Sequence, residues 1–346
     1  MTLFQVRQTI LLLITAAIWG CTFVAQALGM DHVGPFTFTA SRMCLGTLFL
    51  LPIILWRRRT LAREKKAEYA ARRSPEYRRA LLTGSVLCGL CLFGGEALQQ
   101  FGLVHDTEVG KSGFITSLYI VLVPLMGIFL GKKTTPLVWL AVAVAIAGLW
   151  FLCIPTTGFS VSLGDTYTFC CAVVFSLHIF VISSFVTKVD GVELAAGQFA
   201  SGAVWALMAT LLFESPTMAG IAAAFPAMLW AGVMSNGIAY TLQIVGQRGM
   251  NETVASLILS LESVVAVLAG WVLLNQVLSD RELFGALLMA AAVVLAQLPM
   301  PARKKDRKVV CGHQRTGKYP NSPWGVMGAS PRLKPLREKH SCDFAG

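Results

Sequence analysis

The sequence predicts an all-α integral membrane protein with ten transmembrane helices, arranged as two inverted five-helix repeats with both termini in the cytoplasm. Three observations support this prediction. The chain of 346 residues is 55% hydrophobic and only 14% charged, which is more apolar than an ordinary soluble domain. Its apolar residues fall into ten runs of membrane-spanning length, five in each half. Its Lys and Arg residues lie almost entirely on one side of the predicted membrane.

Each apolar run is long enough to cross a hydrocarbon layer of about 30 Å as a helix. The first run lacks a small-residue cleavage site and nine more runs follow it, so we interpret it as a retained span rather than a removed signal peptide. The runs cover residues 9–28, 36–56, 80–103, 109–130, 136–154, 164–186, 192–213, 226–246, 253–274 and 282–300.

The distribution of cations predicts the orientation of the chain. With both termini in the cytoplasm, 26 of the 29 Lys and Arg residues are cytoplasmic or at that membrane surface, including ten in residues 57–79 and eleven in residues 301–346. The opposite loops hold only Arg281. This is the positive-inside bias of membrane proteins. It explains the net charge of +11 without a nucleic-acid partner, because the cations follow the loops and form no phosphate-binding face.

The two halves of the chain match each other. Trp19 aligns with Phe175 at an offset of 156 residues, and Gln99 aligns with Gln243 at an offset of 144. The offset changes because the connection 57–79 is longer than its counterpart in the second half. An odd number of spans per copy inverts the second copy relative to the first, which is an architecture found in many secondary transporters.

We therefore predict a first five-helix repeat in residues 1–156, a second in residues 157–300, and a basic disordered tail in residues 301–346 that is rich in Pro and Gly. Segment 57–79 belongs to the first repeat and is rich in helix formers and cations. It either lies along anionic lipid headgroups or is a solvated loop that only enforces the orientation.

Four ionisable side chains are predicted to lie away from the membrane surfaces, where they are unfavourable unless they are paired or hydrated. They are Arg42, Glu96, Lys111 and Glu262. Glu262 lies about ten residues into its run, roughly 15 Å deep, near the midplane. It is the first candidate for a central cavity, and a structural polar contact between helices is the alternative.

The other three charges leave alternatives open. Glu96 shares a helix face with Gln99, which favours an aqueous cavity. Arg42 either binds an anionic substrate or caps exposed carbonyl groups. Lys111 is near the start of its run, so it either contributes to the site, as a partner of Glu96 or of a substrate carboxylate, or simply extends to water.

Two ring side chains complete the candidate site. His178 is either a proton relay or a structural donor to a neighbouring oxygen. Trp19 lies in the middle of its run, far from the interface where tryptophan usually anchors a helix, so it either lines the cavity or packs in the bundle core.

Several enzyme and cofactor classes have no support in the sequence. Cys88 and Cys91 share CxxC spacing but lack the second ligand pair of a zinc site. The GKS at 110–112 lacks the first glycine of a phosphate-binding loop, since position 105 is His. There is no HExxH or GxSxG motif. We expect no metal, no cofactor and no catalytic group, and any pumping must draw on an ion gradient or on the substrate's own gradient.

Five segments, taken in order, resemble the EamA-type members of the drug/metabolite transporter superfamily. They are AIWGCTFVAQ (17–26), FTASRMCLG (38–46), GKSGFITSLYIVLVPLMG (110–127), GDTYTFCCAVVFSLHI (164–179) and LESVVAVLAGWVLLNQVLS (261–279). The resemblance implies a ten-span carrier of the bacterial inner membrane for small metabolites such as amino acids, often moved outward. By the pattern of that family, Trp19, Arg42, Lys111 and Glu262 occupy recurring positions. Asn275 and Gln276 depart from the Gly-Glu common in that family.

These observations predict a secondary transporter that works by alternating access and exports a small molecule, with protons as the candidate coupling ion. The predicted site comprises Glu262, Glu96, Arg42, Lys111, Trp19, Gln99 and His178. The alternatives are a membrane scaffold or sensor that uses the basic loop and tail, and, less favoured, an intramembrane enzyme.

Overall fold

The computed structural model describes residues 3–105, 109–132, 134–154, 161–274 and 279–298, and every regular element in these ranges is helical. The all-α prediction is confirmed for this part of the chain. The elements are α1 (Leu3–Met30), α2 (Pro35–Glu64), α3 (Lys66–Ala71), α4 (Pro75–Val104), α5 (Val109–Ser117), α6 (Tyr119–Phe129), α7 (Pro136–Cys153), α8 (Leu163–Phe185), α9 (Gly191–Phe213), α10 (Met218–Leu229), a π segment (Trp230–Tyr240), α11 (Thr241–Gln247), α12 (Glu252–Leu259), α13 (Glu262–Leu274) and α14 (Asp280–Gln297). The predicted tail 301–346 and the pair Asn275 and Gln276 lie outside the described residues.

Many helices are long and apolar enough to cross a membrane, so the chain is a multi-pass membrane protein. In the described ranges there are eight such segments, with Pro136–Leu152 as a shorter apolar helix. The number ten and the orientation of the termini stay predictions. The eight are Leu3–Met30, Pro35–Glu64, Pro75–Val104, Lys111–Phe129, Leu163–Phe185, Gly191–Phe213, Met218–Gln247 and Glu252–Ala269.

The helix starts follow local sequence signals. Pro35, Pro75 and Pro136 occupy first-turn positions, where a missing N–H costs no helical hydrogen bond. Ser162 and Ser279 form capping boxes with the acidic residues three positions later. These signals fix where each helix begins and so set the register of the polar side chains within it.

Two of the predicted spans are interrupted at matching places. The fourth is divided at Leu118 into α5 and α6, and the ninth is divided at Ser260 and Leu261 into α12 and α13. The repeat offset of 144 maps Leu118 onto Glu262, the first residue of α13. Across the two breaks, the hydroxyl oxygens of Ser117 and Ser263 lie 2.5 Å apart. The discontinuities are therefore paired by the internal repeat and joined in space.

The eighth span changes its helical pitch in the middle. Residues Trp230–Tyr240 form a π segment between α10 and α11. Pro226 in α10 has no backbone N–H, which weakens the α-helical ladder just before this segment. Departures from α-helical pitch are frequent at functional sites. Here the π segment supplies Ser235, Asn236 and Tyr240 to the interior of the bundle.

Small residues allow the helices to approach closely. At the crossing of α4 and α9, a methyl group on Gly89 would come within 2.6 Å of the carbonyl oxygen of Gln198. At the crossing of α7 and α14, a methyl group on Gly285 would come within 2.6 Å of the backbone nitrogen of Leu152. In a membrane such contacts replace the hydrophobic driving force as the main source of helix association.

Segment 57–79 is largely helical and is tied to the start of α9. It contains the end of α2, the whole of α3 and the start of α4. Arg57 makes a two-point contact with the carboxylate of Asp190, at 3.1 and 2.9 Å, and Arg72 lies 3.2 Å from the same group. Arg58 pairs with Glu193 at 3.0 Å. Some of these cations are therefore committed to the protein's own acidic side chains.

Candidate functional site

A small cavity lies in the middle of the bundle between helices of both halves. Its free volume is about 30 Å³, which leaves room for only a few water molecules. Five of the seven predicted site residues line it, namely Trp19, Arg42, Gln99, His178 and Glu262. The first half provides three of them and the second half provides two.

Arg42 is the centre of a buried polar network. Its Nε donates to Oδ1 of Asn236 at 3.1 Å, its Nη1 to Oε1 of Gln26 at 3.2 Å, and its Nη2 to Oγ of Ser235 at 2.8 Å. Nη2 also lies 3.3 Å from Oε1 of Glu96, so Glu96 neutralises the guanidinium from behind the cavity wall. The network joins α2 and α4 to the π segment of the second half.

Glu262 is the second charged residue that lines the cavity in the described part of the chain. It is the first residue of α13, directly after the break, and its Oε1 accepts a hydrogen bond from the hydroxyl of Tyr119 at 3.0 Å. A methyl group on Gly20 of α1 would come within 2.6 Å of the Glu262 carbonyl oxygen. This close approach of α1 and α13 brings Trp19 and Glu262 to the same cavity.

Aromatic rings form much of the remaining wall. The ring centroids of Trp19 and Tyr240 are 4.6 Å apart, and those of Tyr240 and His178 are 6.0 Å apart. Phe175 and Tyr119 also face the cavity. The buried indole nitrogen of Trp19 has no hydrogen-bond partner among the described residues. A donor of this kind is available to a guest molecule.

His178 and Gln99 each have a buried polar partner. Nε2 of His178 and Oε1 of Gln198 lie 3.0 Å apart, so the imidazole donates to an amide oxygen of α9. Nε2 of Gln99 donates to the hydroxyl of Thr116 at 3.2 Å. The histidine contact matches the structural alternative considered from the sequence.

Lys111 belongs to a different part of the molecule. Its Nζ donates to Oδ2 of Asp165 at 2.6 Å, which links the start of α5 to the start of α8. Glu96 has its ion pair with Arg42 instead of with Lys111. The sequence could not choose between these pairings because the partners are distant along the chain.

The repeat contributes lining residues in related pairs. The offsets of 156 and 144 relate four such pairs, and both members of each pair face the cavity. They are Trp19 with Phe175, Thr22 with His178, Phe23 with Ile179, and Gln99 with Gln243. The cavity thus lies where the two copies meet.

Sequence reasoning missed several polar members of the site: Gln26, Tyr119, Ser235, Asn236 and Tyr240. Gln26 and Asn236 could have been predicted from the sequence, because an amide side chain in a long apolar run requires a hydrogen-bond partner. Tyr119 and Tyr240 carried little, since tyrosine is common in such runs. In the described residues there is no group of three His, Cys, Asp or Glu side chains that could hold a metal ion.

Proteins of known sequence and structure resemble the chain over most of its length. An uncharacterized transporter of Archaeoglobus fulgidus is 28% identical over 293 residues, covering 83% of this chain and 84% of the relative. The uncharacterized transporter YoaV of Bacillus subtilis is 22% identical over 293 residues, covering 83% and 95%. A solved crystal structure superposes with a TM-score of 0.67 at 18% identity, over 89% of this chain and 99% of that one, which shows a shared fold.

The family assignment follows from a match to each half. The model of the EamA-like transporter family matches residues 7–154 and, separately, residues 162–298. Together these matches cover nearly all of the helical region described above. The chain therefore belongs to the EamA-like transporter family and is a membrane transporter.

Proposed function

We propose that this protein is a secondary transporter that exports small metabolites, such as amino acids or related compounds, across the inner membrane. It works by alternating access: two inverted repeats rock about the central cavity and open it to each side in turn. Protons are the proposed coupling ion, and the substrate's own gradient is the other possible source of energy.

One observation carries this proposal. The cavity is built by both halves of the chain and holds a buried carboxylate, Glu262, at the point where α12 and α13 separate. Broken helices near the midplane form substrate and ion sites in many transporters. A buried charge without a full set of partners is costly in a membrane protein, so it supports a functional role.

The residues divide into three groups in this mechanism. Glu262 binds the coupling ion or the substrate's amine, while Tyr119 orients its carboxylate. The pair of Arg42 and Glu96 holds α2, α4 and the π segment together at the cavity wall. Lys111, paired with Asp165, acts between α5 and α8 and not on the substrate.

A metabolite comparison tests the function. Intracellular and extracellular small molecules are measured in cells that overproduce the protein and in cells that lack it. We expect one or more metabolites to accumulate outside the overproducing cells. A variant without residues 303–346 serves as the control, because a transporter keeps its flux without the tail whereas a scaffold loses its function. Unchanged metabolite ratios at a verified membrane level of the protein would contradict the proposal.

A further inference from the structure

The net charge at the cavity depends on three ionisable residues, Arg42, Glu96 and Glu262. Arg42 carries the only full positive charge in the described lining, and Glu96 lies 3.3 Å from it. The Glu96 side chain is 1% exposed, so its carboxylate is committed to this contact. Because the two opposite charges sum to zero, the pair adds no net charge to the site. Glu262 then sets the net charge of the site.

Arg42 is also poorly placed to receive an anionic guest. Its three nitrogens already donate to Asn236, Gln26 and Ser235. A substrate carboxylate would have to displace these amide and hydroxyl oxygens and compete with Glu96. Leaving these oxygens unpaired in a buried site is unfavourable. Lys111 does not relieve this, since it pairs with Asp165 outside the described lining.

Glu262, unlike Arg42, has few hydrogen-bond partners and can receive a charged guest. Among the described residues, a single hydrogen bond, from Tyr119, satisfies one of its oxygens. Around the same cavity stand the rings of Trp19, Tyr240 and Phe175. Aromatic faces attract cations, and the attraction is largest where water is excluded. A carboxylate enclosed by aromatic rings is the chemistry that binds an organic ammonium group.

We propose that the cavity recognises an amine in its cationic form, held by the Glu262 carboxylate and by the rings of Trp19 and Tyr240, and that it discriminates against substrates carrying a free carboxylate. This inference rests on the proposed transport function and narrows its substrate class: among the small metabolites named above it selects organic ammonium compounds and excludes amino acids, which carry a free carboxylate. The cavity of about 30 Å³ must widen to admit such a guest, as the rocking of the two repeats would allow, and the apolar body of the guest then packs on Phe175 and Phe23, which also line it.

Three compounds with the same phenyl ring test the charge preference. Phenethylamine is a cation at neutral pH, phenylalanine is a zwitterion, and 3-phenylpropionate is an anion. Their binding to the purified full-length protein in detergent is measured by isothermal titration calorimetry at one salt concentration. We expect phenethylamine to bind roughly tenfold or more tightly than either of the others. Equal or tighter binding of phenylalanine or 3-phenylpropionate overturns the proposal, as does no binding of phenethylamine.

Variants assign the preference to named residues. Glu262→Gln should weaken phenethylamine binding roughly tenfold or more, because it removes the charge and keeps the shape. Trp19→Leu should weaken it several-fold and leave the ordering of the three compounds unchanged. Glu252→Gln is the matched control, since Glu252 pairs with Lys132 outside the cavity. If Glu262→Gln is unstable in a thermal scan, Trp19→Leu alone decides. Full binding by both site variants overturns the assignment.

Failure of the cation preference can be distinguished from failure of the proposed transport function. If overproducing cells export only anions or zwitterions, the transport function stands and the cation preference fails. If no metabolite moves, the transport function fails whatever the purified protein binds.

Discussion

Arg42 and Glu96 illustrate how a single buried contact organises this protein. Their side chains are 3% and 1% exposed, and they link α2 to α4. Each would be unfavourable alone in the interior of a membrane protein. Because each is the other's counter-charge, we assign this pair a structural role, and we assign the chemistry of the site to Glu262.

Breaking the Arg42 and Glu96 pair from one side should be more harmful than removing it entirely. Arg42→Gln leaves the Glu96 carboxylate buried without a counter-charge, and we expect a loss of about 3–5 kcal/mol in the free energy of unfolding. The double variant Arg42→Gln with Glu96→Gln should recover much of that loss. Unfolding in detergent measures all three proteins. A double variant no more stable than the single one would contradict the role given to the pair.

At the residue scale, the sequence predicted which side chains are unusual but not what they contact. Glu262, Arg42 and Glu96 could be selected because a charge in an apolar run requires an explanation. The pairing of Glu96 with Arg42 and of Lys111 with Asp165 depends on packing between helices, because the two residues of each pair are 54 positions apart along the chain. Spacing along one helix contains no information about such contacts.

The contact between segment 57–79 and α9 gives a prediction at the scale of elements. Asp190 caps α9 through the backbone nitrogens of Val192 and Glu193 and also binds Arg57 and Arg72. Burial raises the pKa of Asp190, but the two guanidinium groups and the capping hydrogen bonds outweigh it and hold the pKa below its ordinary value of 3.8. The carboxylate is therefore charged throughout the neutral range.

Asp190→Asn should remove the negative charge but keep the helix cap, because Asn caps helices as well as Asp does. We expect a loss of about 1 kcal/mol in stability at pH 7. A depressed folded-state pKa means that this contribution is present above pH 3.8 and is lost as pH falls below it. The difference from wild type, measured by thermal unfolding, should thus be constant from about pH 5 to 8. A difference that shrinks across that range would refute the ion-pair account.

The crossing of α7 and α14 depends on a glycine, and a second glycine provides the control. Gly285→Ala would bring a methyl group within 2.6 Å of the Leu152 nitrogen, so the helices must separate and stability should fall. Gly94→Ala meets nothing closer than 3.8 Å and should be neutral or slightly stabilising, because alanine favours a helix. Thermal unfolding of the two variants checks the contrast, and equal effects would argue against a close crossing.

Elements were partly predictable. Apolar runs located the long helices, because hydropathy averaged over about 19 residues measures burial in lipid. The same averaging hides a one-residue break such as Leu118 and a change of pitch such as Trp230–Tyr240. Those features arise from competing backbone hydrogen bonds and from packing. They are also the features that position Glu262, Ser235 and Asn236.

At the scale of the whole molecule, inversion of the repeat predicts that equivalent loops face opposite sides of the membrane. Asp31 and Thr187 are exposed and occupy equivalent positions at the offset of 156. In a cysteine-free background, Asp31→Cys should react with a membrane-impermeant maleimide in intact cells. Thr187→Cys should react only after the cells are opened. Labelling of both from the same side would rule out inverted repeats.

The repeat and the site are connected at this scale. Positions related by the repeat meet at the cavity, as Gln99 and Gln243 do, while the charged positions differ between the copies. We infer that the scaffold shared by the two repeats provides the motion. The positions at which the repeats differ, above all Glu262, which aligns with Leu118, provide the substrate preference. The sequence could predict this division because it needs only an alignment of the chain with itself.

A comparison of wild type with Glu262→Gln in cells tests directly whether the Glu262 carboxylate binds the exported substrate. Both proteins are produced to the same level in the membrane, and the ratio of external to internal metabolites is measured by mass spectrometry. We expect the metabolites exported by wild type to be amines, and we expect Glu262→Gln to return their ratios to those of cells without the protein. Export that is unchanged in Glu262→Gln would show that this carboxylate does not bind the substrate.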